Sequence, residues 1–76
     1  MTDTPYRVIS CEKHSQYELL AMHRQHCRIN TTDNHQYEGR VTDILTRDRA
    51  EYLQLTGTDG QPQEIRLDLI SAIENL

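Results

Sequence analysis

Apolar spacing changes once along this chain, at Gln25, and the change restricts it to a helix followed by strands. Before that point, Leu19, Leu20, Met22 and His23 fit one helical face. Ser15-Gln16-Tyr17-Glu18 has the Ser-x-x-Glu form of a capping box, in which hydroxyl and carboxylate each satisfy the other residue's amide. The spacing predicts a helix from about Gln16 to His23, within residues 15–24, too short to hold without docking on something. Upstream, weak alternation over Tyr6–Ile9 after Pro5 predicts a short edge strand.

After Gln25 the period is two. Cys27, Ile29 and Thr31 point one way and Arg28 and Asn30 the other, Asp33-Asn34 is a turn candidate, and Tyr37, Gly39 and Val41 alternate in a second strand. A glycine in mid-strand predicts a bend or bulge. A polar connection Thr46-Arg47-Asp48-Arg49 leads to a third strand at Tyr52–Leu55, a turn at Thr58-Asp59-Gly60 and a fourth strand at Glu64–Leu67. Leu69-Ile70 and Ala72-Ile73 predict a tight turn and a last short strand. One helix and about five short, bent strands make a mostly β fold, a small barrel that closes its own edges. At 76 residues this is one domain over 1–76, with residues 1–8 leading into the helix and 25–76 forming the barrel. A chain of that size buries only about 60% of its unfolded surface, so the core is one thin layer.

The size excludes a doubly wound cofactor fold. Apolar runs are short, as at Leu19-Leu20 and Ile44-Leu45, so no membrane span is expected. The first residues lack the basic-then-apolar pattern of a secretory signal, and the expected address is the cytoplasm. Eight basic residues against twelve acidic give a net charge of −4. Residues 33–76 alone hold nine acids against four bases. Phosphate neutralisation drives most nucleic-acid affinity, so this balance suits a basic partner better than a polyanion.

Cys11 and Cys27 read as thiols in a reducing compartment. Cys11-x-x-His14 with His23-x-x-His26-Cys27 carries zinc-ligand chemistry, but lacks a second Cys-x-x-Cys, and packed thiols with ordinary imidazoles account for it as well. No Gly-rich phosphate loop and no turn motif presenting a nucleophile is visible, so no enzyme and no cofactor are expected. Two binding classes stay open on the residues alone. One is RNA binding through Arg47, Arg49, Tyr37 and Tyr52, against which the tyrosines read equally as core or rim packing. The other is protein binding through an acidic surface around the helix, which net charge favours.

Ile9-Ser10-Cys11-Glu12, Tyr17-Glu18-Leu19-Leu20-Ala21, Asp43-Ile44, Glu51-Tyr52-Leu53 and Glu64-Ile65-Arg66-Leu67-Asp68-Leu69-Ile70 resemble the Rho-binding antiterminator (Rof) family. The strings stay in register from about Tyr6 to Ile73. The resemblance implies a Sm-like five-stranded barrel with an N-terminal helix. It also implies an inhibitor that binds the primary RNA sites on the OB-type domains of termination factor Rho and blocks RNA loading. Direct nucleic-acid or membrane binding is not expected, and the isolated protein is expected to be a monomer. Carried over by position, the implied contacts are Glu12, His14, Ser15, Gln16 and Glu18 at the helix start, with Arg47, Asp48 and Arg49 between the second and third strands. Family members carry more acid just before the helix, where this chain has Lys13, His14 and Ser15, which shifts weight from charge mimicry to hydrogen bonding.

Overall fold

A computed structural model describes residues 7–76, and its helix α1 runs over Cys11–Met22. The cap is Ser10, five residues earlier than expected: its backbone is extended and its Oγ accepts from the Lys13 amide at 3.2 Å. Ser15 and Glu18 therefore lie inside the helix and form no capping box. The earlier start was hidden because Cys11-Glu12-Lys13 adds an exposed first turn with no apolar residue to extend the periodicity. At the other end, the Arg24 amide donates to the Ala21 carbonyl and the Gln25 amide to the Leu20 carbonyl, with Arg24 left-handed at φ 50°. This is a Schellman ending with arginine where glycine is usual.

The buried face of α1 also differs from the expected one. Tyr17 is buried, and Leu20 and Ala21 pack partly against the core, whereas Leu19 and Met22 are 51% and 74% exposed and His23 is exposed. Upstream, residues 7–10 form no strand, and Tyr6 lies outside the described residues. Asp68, whose carboxylate is held by Arg66, instead accepts the Arg7 amide at 2.9 Å.

Five antiparallel strands follow: β1 (His26–Thr31), β2 (Gln36–Arg47), β3 (Ala50–Thr56), β4 (Pro62–Arg66) and β5 (Ile70–Asn75), in the order β4-β3-β2-β1-β5. A single 3-10 turn, Leu67–Leu69, carries the chain from β4 to β5. Cys27, Ile29 and Thr31 point inward as the alternation requires, and the turn after them is tied by the Thr31 hydroxyl, which donates to Asp33. That bond holds the Asp33 carboxyl below its usual range, with His35 adding to the effect. Cys27, Ile29, Val41, Leu53, Leu55, Ile65 and Leu67 join Tyr17 in one core. The five strands expected after Gln25 are present and the fold is mostly β with one helix, but β4 and β5 share no ladder, so the sheet is open rather than closed. Leu67 in the 3-10 turn fills the core where further strand pairing would have been, and Pro62 begins the short edge strand β4.

β2 is twelve residues long, because it continues through Ile44-Leu45 to Arg47. Its register with β3 shifts between Val41 and Asp43, leaving Thr42 as the extra residue of a bulge. Just before it, Gly39 lies so close to β3 that an added Cβ would stand 2.3 Å from the Thr56 carbonyl oxygen. That atom is backbone and has little room to yield. Gly39→Ala is therefore expected to lower stability by about 1–3 kcal/mol, the range for overpacking. Denaturant unfolding checks this, and an unchanged midpoint with unchanged slope contradicts the close approach.

Candidate functional site

The exposed side of α1 and the β2–β3 hairpin tip meet at one end of the molecule through His14. The imidazole is half-buried between two carboxylates. Its Nε2 contacts Glu51 Oε2, and its Nδ1 lies 3.5 Å from Glu18 Oε1, one helical turn on. Glu51 pairs with Thr46 in the ladder, next to the Arg47–Ala50 pair that closes the hairpin. His14 thus fixes the helix start against the hairpin base. Nothing in the sequence assigns Glu51 a site role, because the pairing that brings it to His14 is long-range.

Glu12, Ser15 and Gln16 stand on the exposed side of the helix, as does Glu18. Glu18 is explained by its contact with His14 rather than by a cap. Gln16 also lines a groove of about 450 Å³ between α1 and β5, with Lys13, Tyr17 and Leu20 on the helix side and Ile70 and Ile73 opposite.

At the hairpin, Asp48 and Arg49 form a two-residue turn with φ 52° and 65°. Two positive φ angles in such a turn are the type I′ arrangement, which matches strand twist and normally takes Asn or Gly. Asp tolerates the first position, and Arg49 occupies the second where glycine would relieve strain. Arg47 behaves differently. Strand alternation puts it on the same face as Tyr52 and on the opposite face from Glu51 and the helix. Its guanidinium forms a forked pair with Glu64, Nη1 to Oε2 at 3.1 Å, and lies 4.9 Å from the centre of the Tyr52 ring. The pairing holds the Glu64 carboxyl below its usual range and raises Arg47. The predicted residues therefore fall into three places: a helix surface joined to the hairpin by His14, a tip of Asp48 and Arg49, and Arg47 turned to the far face. Of the two tyrosines considered for RNA stacking, Tyr37 packs partly against the core and Tyr52 lies beneath the Arg47 guanidinium.

The cysteine–histidine set is dispersed. Cys11 is exposed on the first helical turn, His23 is exposed past the last, and His26 faces Glu38 at 3.4 Å. Cys27 is buried and donates to Asn75 Oδ1 at 3.6 Å. Among the described residues, no three His, Cys, Asp or Glu side chains gather in a way that could hold a metal ion. Burial also raises the Cys27 thiol above its usual range, which suppresses the reactive thiolate. A thiol reagent is expected to modify Cys11 at once and Cys27 only in denaturant. Mass spectrometry of the digested protein reads this, and rapid native labelling of Cys27 contradicts the placement of β1 in the core.

Comparison with solved structures places this fold beside two bacterial proteins. One is a structure described as YaeO bound to magnesium from Vibrio cholerae O395, with 19% identity, a TM-score of 0.75, and coverage of 80% of this chain and 79% of that one. The other is XC5848 from Xanthomonas campestris, described as a novel variant of the Sm-like motif, with 17% identity, a TM-score of 0.64, and coverage of 96% and 95%. At such identities the likeness establishes the Sm-like fold alone. No curated protein matches the chain significantly. The family model described as "Modulator of Rho-dependent transcription termination (ROF)" matches residues 8–76, nearly the whole chain. The chain therefore belongs to the ROF family of modulators of Rho-dependent transcription termination.

Proposed function

We propose that this protein inhibits Rho-dependent termination by occupying the primary RNA-binding site of Rho, through the exposed side of α1 and the hairpin tip. The observation that supports this reading is the His14 bridge, which holds the exposed Glu12, Ser15, Gln16 and Glu18 in fixed relation to Asp48 and Arg49. A preorganised surface loses little side-chain freedom on association. The net charge of −4 speeds encounter with a site shaped for a polyanion, and the polar groups of the helix set the lifetime of the complex. The protein acts by binding, without cofactor or catalysis, in the cytoplasm, and as a monomer of one domain. Among the described residues, no helix is long and apolar enough to cross a membrane. Arg47, spent on Glu64 and Tyr52, contributes to the hairpin's rigidity in this reading more than to the contact.

Two experiments test it. In a pull-down with Rho, a pyrimidine-rich RNA is expected to displace the protein, and the Glu12→Lys/Glu18→Lys variant is expected to bind about tenfold or more weakly with its circular dichroism unchanged. Undiminished binding of the folded double variant overturns the helix-surface assignment, and binding of RNA in the absence of Rho supports a Sm-like RNA-binding module instead.

Arg49 offers the second test. Arg49→Gly removes a left-handed side-chain penalty of about 1 kcal/mol and is expected to raise the melting temperature. If Arg49 contacts Rho, the same variant binds less tightly although it is more stable. A stabilised variant with full affinity removes Arg49 from the contact.

A further inference from the structure

On a protein of net charge −4, one concavity is lined by basic side chains and no acidic one. It lies where α1 runs into β1, has a volume of about 300 Å³, and is bordered by Arg24, His26 and Arg40. We propose that it is a binding site for a single phosphate group, carried either by inorganic phosphate or by a mononucleotide.

The two arginines are placed in an unusual way. Arg24 holds the left-handed position of the Schellman ending, which glycine fills without penalty, at a cost of about 1 kcal/mol. Arg40 Nη1 donates to the Arg24 carbonyl oxygen at 3.1 Å, so the guanidinium of one is anchored to the backbone of the other. Arg28, Arg47 and Arg66 each face a carboxylate within 4.0 Å, but among the described residues neither Arg24 nor Arg40 has an ion pair. Their remaining N–H donors suit the several oxygens of a phosphate.

The rest of the lining is consistent with that ligand. Thr56 and Thr58 bring hydroxyls that have no hydrogen-bond partner among the described residues, while the Thr42 hydroxyl is already committed to Gln54. Gly39 and Gly57 line the site with backbone alone; the Thr56 carbonyl already fills the place of a side chain at Gly39, and Asp59 Oδ1 lies 3.1 Å from where a Cβ on Gly57 would stand. Nearby carboxylates are occupied: Glu38 faces His26 at 3.4 Å and Arg28 at 3.7 Å, and Asp59 accepts the Gln61 amide at 3.0 Å. The pocket is too small and isolated to track a nucleic-acid strand, but it has room for one phosphate with part of a sugar. It is separate from the proposed Rho-binding surface, so the two stand or fall independently.

The test is an amide-resolved NMR titration of the full chain with sodium phosphate and, in parallel, with uridine 5′-monophosphate, both at fixed ionic strength against a chloride control. Saturable shifts are expected at Arg24, Arg40 and Thr56 to Thr58. Tighter binding of the nucleotide identifies a mononucleotide site, and equal affinity identifies a site for phosphate itself. Arg24→Gly and Arg40→Gln are each expected to weaken binding about tenfold, as for loss of one charge-assisted contact. Arg24→Gly should at the same time raise the melting temperature, which separates lost binding from lost folding. No saturable shift beyond the chloride control overturns the proposal, as does unchanged affinity in a folded Arg24→Gly variant.

Discussion

The docking of α1 on the sheet through Tyr17 is the contact on which the rest of the molecule depends. It is the one helical residue that is buried, and its ring joins Cys27, Ile29 and Val41 in a core one layer deep. A twelve-residue helix is marginal in water without such an anchor. Seating Tyr17 rotates Leu20 and Ala21 toward the sheet and turns Glu12, Ser15, Gln16 and Glu18 outward. The orientation of the proposed partner surface is thus a consequence of burying one aromatic side chain. His14, one turn earlier on nearly the same face, then meets Glu51 and locks the helix to the hairpin. Burial of the Tyr17 ring also raises its hydroxyl's pKa, as expected for a group held away from water.

The strands were legible in the sequence and the helix only in part, for reasons that lie in particular residues. Period-two alternation is a local signal, so Cys27, Ile29 and Thr31 announced β1 without knowledge of its neighbours. The mid-strand Gly39 points to a distortion, but the bulge lies three residues on at Thr42, and what requires glycine at 39 is the Thr56 carbonyl beside it, a tertiary contact. The helix start misled because Ser15-x-x-Glu18 satisfies the pattern of a capping box as well as Ser10 satisfies the function of a cap. Leu19 and Met22 misled because apolar residues on a small domain often remain exposed. The open sheet could not be read at all: whether β4 meets β5 is decided by the 3-10 turn between them, not by either strand.

The candidate site shows the same division. Its helix residues come from the resemblance, and Glu12, Ser15, Gln16 and Glu18 are all exposed, Gln16 on the flank toward β5 and Glu18 on the flank toward β2. Arg47 was named with them, yet its position one ladder pair from the turn puts it on the other face, where Glu64 and Tyr52 engage it. Facing is a matter of parity in a strand, and one residue is enough to reverse it. Glu51, part of a family-like string but given no site role by it, supplies the bridge between the helix and the hairpin.

Two arginines, Arg24 and Arg49, occupy left-handed positions that local preference assigns to glycine. Each lies at the end of a motif whose hydrogen bonds are otherwise regular, a Schellman ending and a two-residue hairpin turn. Local rules broken at isolated points within a regular scaffold are where side-chain chemistry has been kept at the expense of stability. The two positions are well apart, one beside the basic pocket and one at the hairpin tip, so a single structural compromise does not explain both. On the two proposals made above, a long cationic side chain is used at each place: toward an anion at Arg24 and toward a protein partner at Arg49. In a fold with so thin a core, about 1 kcal/mol retained at each of two positions is a large fraction of the total stability. That proportion makes these arginines the residues whose loss should separate binding from folding most cleanly.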